Sequence, residues 1–243
     1  MIHPTLAFLT DFSNAFDFIF HTREAQTGGV QVGGLHQVLE FTWEHIKLSG
    51  AAIGIACAFA IPLGLALGHT GKGELLAISL SNVGRAVPSL ALIAFFVAYL
   101  GVGFTNLVLA LVLLAIPPIL TNAYTGTRQV DRETVDAARG MGMTGVEIVR
   151  KVELPLALPL IFGGIRISAV NVIATATIAP LAGVTTLGDP IINVNTYGDE
   201  GRLAAAIVVA LLAVVTEVAL GAVQRAVTPR GLKLSTTRRE ATT

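Results

Sequence analysis

The stretch "DAARGMGMTGVEIVRKVELP", Asp136–Pro155, carries charges of both signs and a glycine-rich break inside an otherwise oily chain. It has no Cys, His or Ser that could serve as a nucleophile or metal ligand. Its capping residues predict two short helices. Asp131 is placed to cap a helix from Arg132, and Gly140 or Gly142 to end it in a left-handed conformation. Thr144 stands three residues before Glu147, a capping-box spacing that opens the second helix. Val146, Val149 and Val152, with Ile148, give that helix an apolar stripe. Pro155 is expected to close it where the next apolar run begins. Helix, glycine turn, helix with a mixed polar surface suits docking rather than catalysis.

The surroundings decide what kind of protein holds this element. Of 243 residues, 53% are hydrophobic and 13% charged, about half the charge of a soluble domain. The formal net charge is zero, so no nucleic-acid footprint is expected. The single Cys57 excludes an intrachain disulfide. Asp11 is the first charge, with no basic region before an apolar core, so no secretory leader is expected. Five segments have the roughly 20 apolar residues a spanning helix needs: Leu48–Leu67, Leu75–Leu100, Val102–Gly126, Leu156–Val184 and Leu203–Gln224. Pro88 and the pair Pro117–Pro118 are expected to kink or break their helices. Lys72, Arg128, Arg132, Arg139, Arg150, Lys151 and the tail cations Arg225, Arg230, Lys233, Arg238 and Arg239 fall on one side; Arg23, Lys47 and Arg202 fall on the other. The positive-inside rule puts the first set in the cytoplasm, hence the N-terminus outside and the C-terminus inside. The domain reading is an external lead-in over 1–45, a membrane domain over 46–228 with its loop at 131–155, and a cytoplasmic tail over 229–243. Within the lead-in, Thr27–Gly34 reads as a loop and Leu35–Ile46 as an amphipathic helix entering the first span. His36, Glu40 and Glu44 share one face of it, read as solvated rather than as a metal site.

Asp136-Ala137-Ala138, Gly142 four residues after Ala138, and Leu154-Pro155 resemble the EAA loop of ABC importer permeases. Asp136 replaces the usual Glu, and Val152 the usual Ile. "RAVPSLALI" (85–93), "PPILTNAYTGTRQVD" (117–131) and "ELPLALPLIFGGIRISAV" (153–170) resemble the osmoprotectant branch of that family, and the likeness covers roughly residues 40–230. The resemblance implies an all-α membrane protein with the five-span core of a type I importer. It implies that Asp136, Ala137, Ala138, Gly142, Leu154 and Pro155 belong to a coupling helix seated in a groove on a cytoplasmic ATPase. The partners implied are an ATPase dimer, a second copy or a related permease, and an external solute-binding protein, all assembled in membrane lipid. "GHTGKGELL" (68–76) lacks the spacing of a phosphate-binding loop, so ATP and Mg are expected on the ATPase and no cofactor in this chain. The solute would be glycine betaine, choline, carnitine or proline, or else another small polar solute such as an amino acid. An ion-coupled secondary transporter is the alternative mechanism. It is disfavoured because Glu217 is the sole acid inside any predicted span. An intramembrane enzyme lacks its motifs.

Polar groups inside the spans are candidates for the solute path. Ser168, Asn171 and Thr175 form a stripe; Ser81, Asn82 and Ser89 cluster near Pro88. Such groups either knit helices together or line the path. Arg85 and Arg166 are expected to reach the cytoplasmic interface or loop backbone, and Glu217 to pair with one of them or face a partner. Trp43, Tyr99, Tyr124 and Tyr197 lie at span ends or outside, so a midplane aromatic cage for a quaternary ammonium is not expected. A site within the spans would be sought around Phe95, Phe96, Asn171 and Thr175. Thr185–Arg202 is too polar to span and reads as a loop or a docking site for the binding protein.

Overall fold

In the computed structural model, residues 4–72, 75, 79 and 87–228 are described. In chain order they form α1 (Pro4–Phe20), the strands β1 (Thr22–Glu24) and β2 (Gln31–Gly33), α2 (Gly34–Thr70), α3 (Ser89–Leu100), α4 (Phe104–Arg128), α5 (Arg132–Gly140) and α6 (Gly145–Ile148). A π-turn (Val149–Glu153) leads into α7 (Leu154–Thr175), which tightens into a 3-10 segment (Ala176–Ala182). Then come α8 (Gly188–Ile192) and α9 (Val194–Val227). Among the described residues, four helical stretches are long and apolar enough to cross a membrane: Gly34–Thr70, Phe104–Arg128, Gly145–Ala182 and Val194–Val227. The second predicted span shows only its end, α3. Arg85, Ser81 and Asn82 lie outside the described residues, as does the tail 229–243. Pro88 immediately precedes α3, where a proline costs no helix bond.

The chain divides into two compact units. The first holds the described residues of Met1–Ala52, Ser89–Leu111 and Asn171–Val215; the second holds those of Ile53–Pro88, Val112–Val170 and Thr216–Thr243.

The first unit corrects the lead-in. The glycine-rich loop expected over Thr27–Gly34 is the turn and second strand of a hairpin, Thr22 pairing with Gly33 and Glu24 with Gln31. Ala15 and Phe18 of α1 pack with Ala25, Val32 and Ala204. The ring of Tyr197 stands edge-on to Phe18 at 6.5 Å and Phe41 at 6.1 Å. Arg23 lies over Phe18 and donates to Asp17 at 3.0 Å. The lead-in helix and the first span are one helix, α2. At about 1.5 Å per residue it extends well beyond the roughly 30 Å hydrocarbon layer. Phe41, His45, Leu48, Ser49 and Ala52 turn inward, while Leu35, Leu39, Trp43 and Ile46 are exposed. Glu44 pairs with Lys47 at 2.6 Å, and among the described residues no three His, Cys, Asp or Glu side chains gather for a metal. The polar Thr185–Arg202 is not a simple loop. Thr186, fully buried, donates through Oγ1 to Ala176 O at 3.1 Å, and its N–H donates to Asp189 Oδ2 at 2.8 Å, opening α8. Burial pushes the Asp189 carboxyl above the ordinary range, and the Thr186 N–H partly opposes that.

In the second unit, α2 meets α4 at a glycine pair. A Cβ on Gly64 would stand 2.6 Å from Ala123 Cβ, and one on Gly68 2.5 Å from Thr127 Cβ. Small residues four apart let two membrane helices touch backbone to backbone. Leu65, Ala123, Ala157 and Ile161 form the core beside this contact. Pro117–Pro118 does not break α4, which runs unbroken from Phe104 to Arg128. Polar side chains bond carbonyls in this stretch: Ser168 Oγ donates to Ala115 O and Asn122 Nδ2 to Pro118 O, both at 2.8 Å.

Candidate functional site

The segment from Asp131 to Pro155 is built from its caps. Asp131 accepts the Glu133 N–H at 3.2 Å and starts α5. At the far end Gly142 is left-handed, φ 84. The Gly142 N–H reaches Arg139 O at 3.0 Å and the Met143 N–H reaches Ala138 O at 3.2 Å, the two bonds of a Schellman cap. Gly142, rather than Gly140, is therefore the turn residue. Thr144 then opens α6 with a complete capping box: its Oγ1 accepts the Glu147 N–H, and Glu147 accepts the Thr144 N–H at 3.0 Å. Lys151 adds an ion pair to Glu147 at 3.0 Å.

Two expectations for this segment are corrected. Pro155 does not end a helix. The helical path runs from Gly145 into the fourth span, and the π-turn carries it past the proline, with the Leu154 N–H donating to Val149 O. Proline has no N–H for the regular ladder, and the widened turn absorbs the mismatch. The valine stripe is also not a single inward face. Ile148 is buried and Val149 and Val152 are half-buried, but Val146 is 78% exposed. Across the turn Met141 is 76% exposed. The turn and the start of α6 thus present two apolar side chains outward.

The other loop residues divide by burial. Ala138 is buried, Asp136 and Ala137 are exposed, and Leu154 and Pro155 are half-buried. Asp136 accepts from Arg139 at 3.2 Å. Beneath α5 lies a cleft of about 380 Å³ lined by His69, Arg128, Arg132, Asp136, Arg139 and Glu153 among others. In it His69 Nδ1 donates to Glu153 Oε2 at 2.9 Å. This pair was missed in the sequence because 84 residues separate its members.

The span residues fare differently. Among the described residues, Arg166 bonds side chains of α9. It reaches Glu217 through Nε at 2.9 Å, and also through Nη2, and its Nη1 donates to Gln224 Oε1 at 2.9 Å. Gln224 Nε2 donates in turn to Pro159 O at 3.1 Å. Of the stripe on the fourth span, Ser168 is buried and knits helices, Asn171 is exposed and Thr175 half-buried. Ser89 and Phe96 are half-buried. Phe95 is exposed, 6.0 Å from Phe96 and 4.6 Å from Tyr99 between ring centres.

Comparison with known proteins gives this arrangement its setting. Residues 60–230 match the family described as binding-protein-dependent transport system inner membrane component. The carnitine transport permease protein OpuCB of Listeria monocytogenes is 40% identical over 82% of this chain and 91% of its own length. The glycine betaine/carnitine/choline transport system permease protein OpuCB of Bacillus subtilis is 40% identical over 81% and 91%. Among solved structures, an inward-facing MetNI methionine ABC transporter superposes with a TM-score of 0.69 at 22% identity, over 80% of this chain and 98% of the other. That places the fold among type I importer membrane domains. The chain belongs to the binding-protein-dependent transport system inner membrane components: it is a multi-pass translocation subunit of an ABC importer, which works with a separate ATPase and a solute-binding protein.

Proposed function

We propose that this permease carries small quaternary ammonium solutes, the class named in its relatives: glycine betaine, choline and carnitine. Two permeases, this chain with a second copy or a related one, enclose the path and stand on an ATPase dimer that holds ATP and Mg. Five spans, with the N-terminus outside and the C-terminus inside, fit the distribution of Lys and Arg. Asp136, Ala137, Ala138, Gly142, Leu154 and Pro155 belong to the coupling segment. The single observation that supports this reading best is the outward display of Met141 and Val146 at a turn fixed by caps on both sides. Capped, rigid and apolar at its tip, such an element suits a groove on a partner. Ser89, Asn171, Thr175, Phe95 and Phe96 are the proposed path residues. Because Trp43, Tyr99, Tyr124 and Tyr197 lie at or beyond the ends of the predicted spans, affinity and choice of solute are assigned to the binding protein, which makes the permease a weakly selective conduit. The test is to purify the tagged chain, identify what co-purifies, and measure competition among betaine, choline, carnitine, proline and other amino acids for uptake. Co-purification of an ATPase with uptake blocked only by an amino acid outside this class would replace the solute reading. Absence of any ATPase would overturn the coupling reading.

A further inference from the structure

His69 sits in the last turn of α2. Its Nδ1 donates to Glu153, the last residue of the π-turn, whose side chain is 5% exposed. The opposite ring nitrogen faces α6: a Cβ built on Gly145 would lie 3.2 Å from Nε2. One side chain on the first membrane helix therefore touches both the entry and the exit of the segment Gly145–Glu153. That segment joins the fourth span through a π-turn, a form that is rare in helices and concentrated at functional sites. A turn of this kind is a soft connection. Motion of α6 relayed through it alone would be partly absorbed in the turn. His69 itself spans the turn, with Nε2 beside Gly145 at the start of α6 and Nδ1 bonded to Glu153 at the far end, so the side chain provides a second connection around it, and the adjoining cleft leaves room for the pair to part.

We propose that His69 and Glu153 form a latch that transmits movement of α6 into α2, alongside the covalent route into α7. Both act as positioning residues for coupling, and the proposal rests on the coupling reading of Asp131–Pro155. A buried carboxylate deprived of its partner is strongly disfavoured, so the bond holds His69 of α2 to the end of the π-turn, and its Nε2 is thereby kept against Gly145 of α6.

The experiment uses the complex of this chain with its ATPase and binding protein in proteoliposomes, comparing His69→Ala, Glu153→Ala and Glu153→Gln. The ATPase is expected to co-purify with all three. Solute transported per ATP hydrolysed is expected to fall about 10-fold in the alanine variants, the scale of ordinary coupling between sites. Glu153→Gln keeps an acceptor for the His69 N–H and is expected to recover most of that loss. Unchanged coupling in both alanine variants overturns the latch. Loss of ATPase co-purification in them also overturns it, because the pair would then serve folding. Gly142→Val separates this proposal from the reading beneath it. If that variant also transports normally, the coupling role of the loop fails. If it uncouples while the alanine variants transport normally, the latch alone fails.

Discussion

Arg166 and Glu217 stand 51 residues apart in the chain and meet inside the apolar helices, with Nε of the arginine 2.9 Å from the carboxylate. Each is about one-third exposed in the isolated chain, 33% and 38%. An ionised pair within the bilayer turns toward protein or water rather than hydrocarbon, and removing one partner leaves the other charge uncompensated. Arg166→Ala and Glu217→Ala should each lower the thermal unfolding midpoint in detergent, and the double variant should be more stable than either single one. Additive losses in the double variant would show that the two charges do not depend on each other.

Gly142 is the left-handed residue of the Schellman cap, and a Cβ there would meet nothing within 4 Å. Substitution therefore acts through backbone strain alone, about 1–2 kcal/mol for a residue with a Cβ. Gly142→Val should reduce ATP-driven uptake with normal membrane insertion. Gly142→Asn, which tolerates the left-handed region better, should retain most of it. Equal loss in both would point to something other than backbone conformation.

Thr144 caps α6 with its hydroxyl, and Thr144→Ala should cost about 1 kcal/mol locally. Hydrogen exchange should accelerate at the amides of Gly145–Ile148 while α4 and α7 stay protected. Uniform acceleration across all three helices would contradict a local role.

The contact of α2 with α4 leaves no room at Gly64 or Gly68. Gly64→Val or Gly68→Val should force the helices apart at a cost of about 1–3 kcal/mol or more. The expected result is a sharp drop in properly inserted protein, read from yield in detergent. Gly50→Val, where a Cβ meets nothing within 4 Å, should leave the yield much closer to normal, and a similar drop there would remove the packing explanation.

Asn171 is exposed and Ser89 half-buried, as positions along a path between permeases would be. With Cys57 replaced, Ser89→Cys and Asn171→Cys should label at different rates in ATP-bound and nucleotide-free complexes. Identical rates at both positions would remove them from the path.

What was legible in the sequence was what depends on local chemistry. Asp131, Gly142, Thr144 and Glu147 announced their caps because the bonds they make close within a few residues. The apolar runs announced, for the same reason, the four described helices that are long and apolar enough to cross a membrane. What was not legible depends on partners distant in sequence. Val146 and Ile148 look alike in a helical stripe, yet one faces out and the other in, because only the packing of the segment distinguishes them. The π-turn follows from fitting Pro155 into a helix that continues. The hairpin of 22–33 and the buried Thr186–Asp189 turn need contacts from elsewhere in the chain, and polarity alone made both look like loop. Pro117–Pro118 suggested a break because proline removes helix bonds locally, whereas the helix runs on through the pair, packed against its neighbours.

ATP coupling is read directly from solute uptake into proteoliposomes holding the complex purified through this chain. Uptake of glycine betaine, choline or carnitine should require both ATP and the solute-binding protein, should stop when either is omitted, and should ignore imposed sodium or proton gradients. Uptake that follows an ion gradient without ATP would contradict an ATP-coupled permease and point to a secondary transporter.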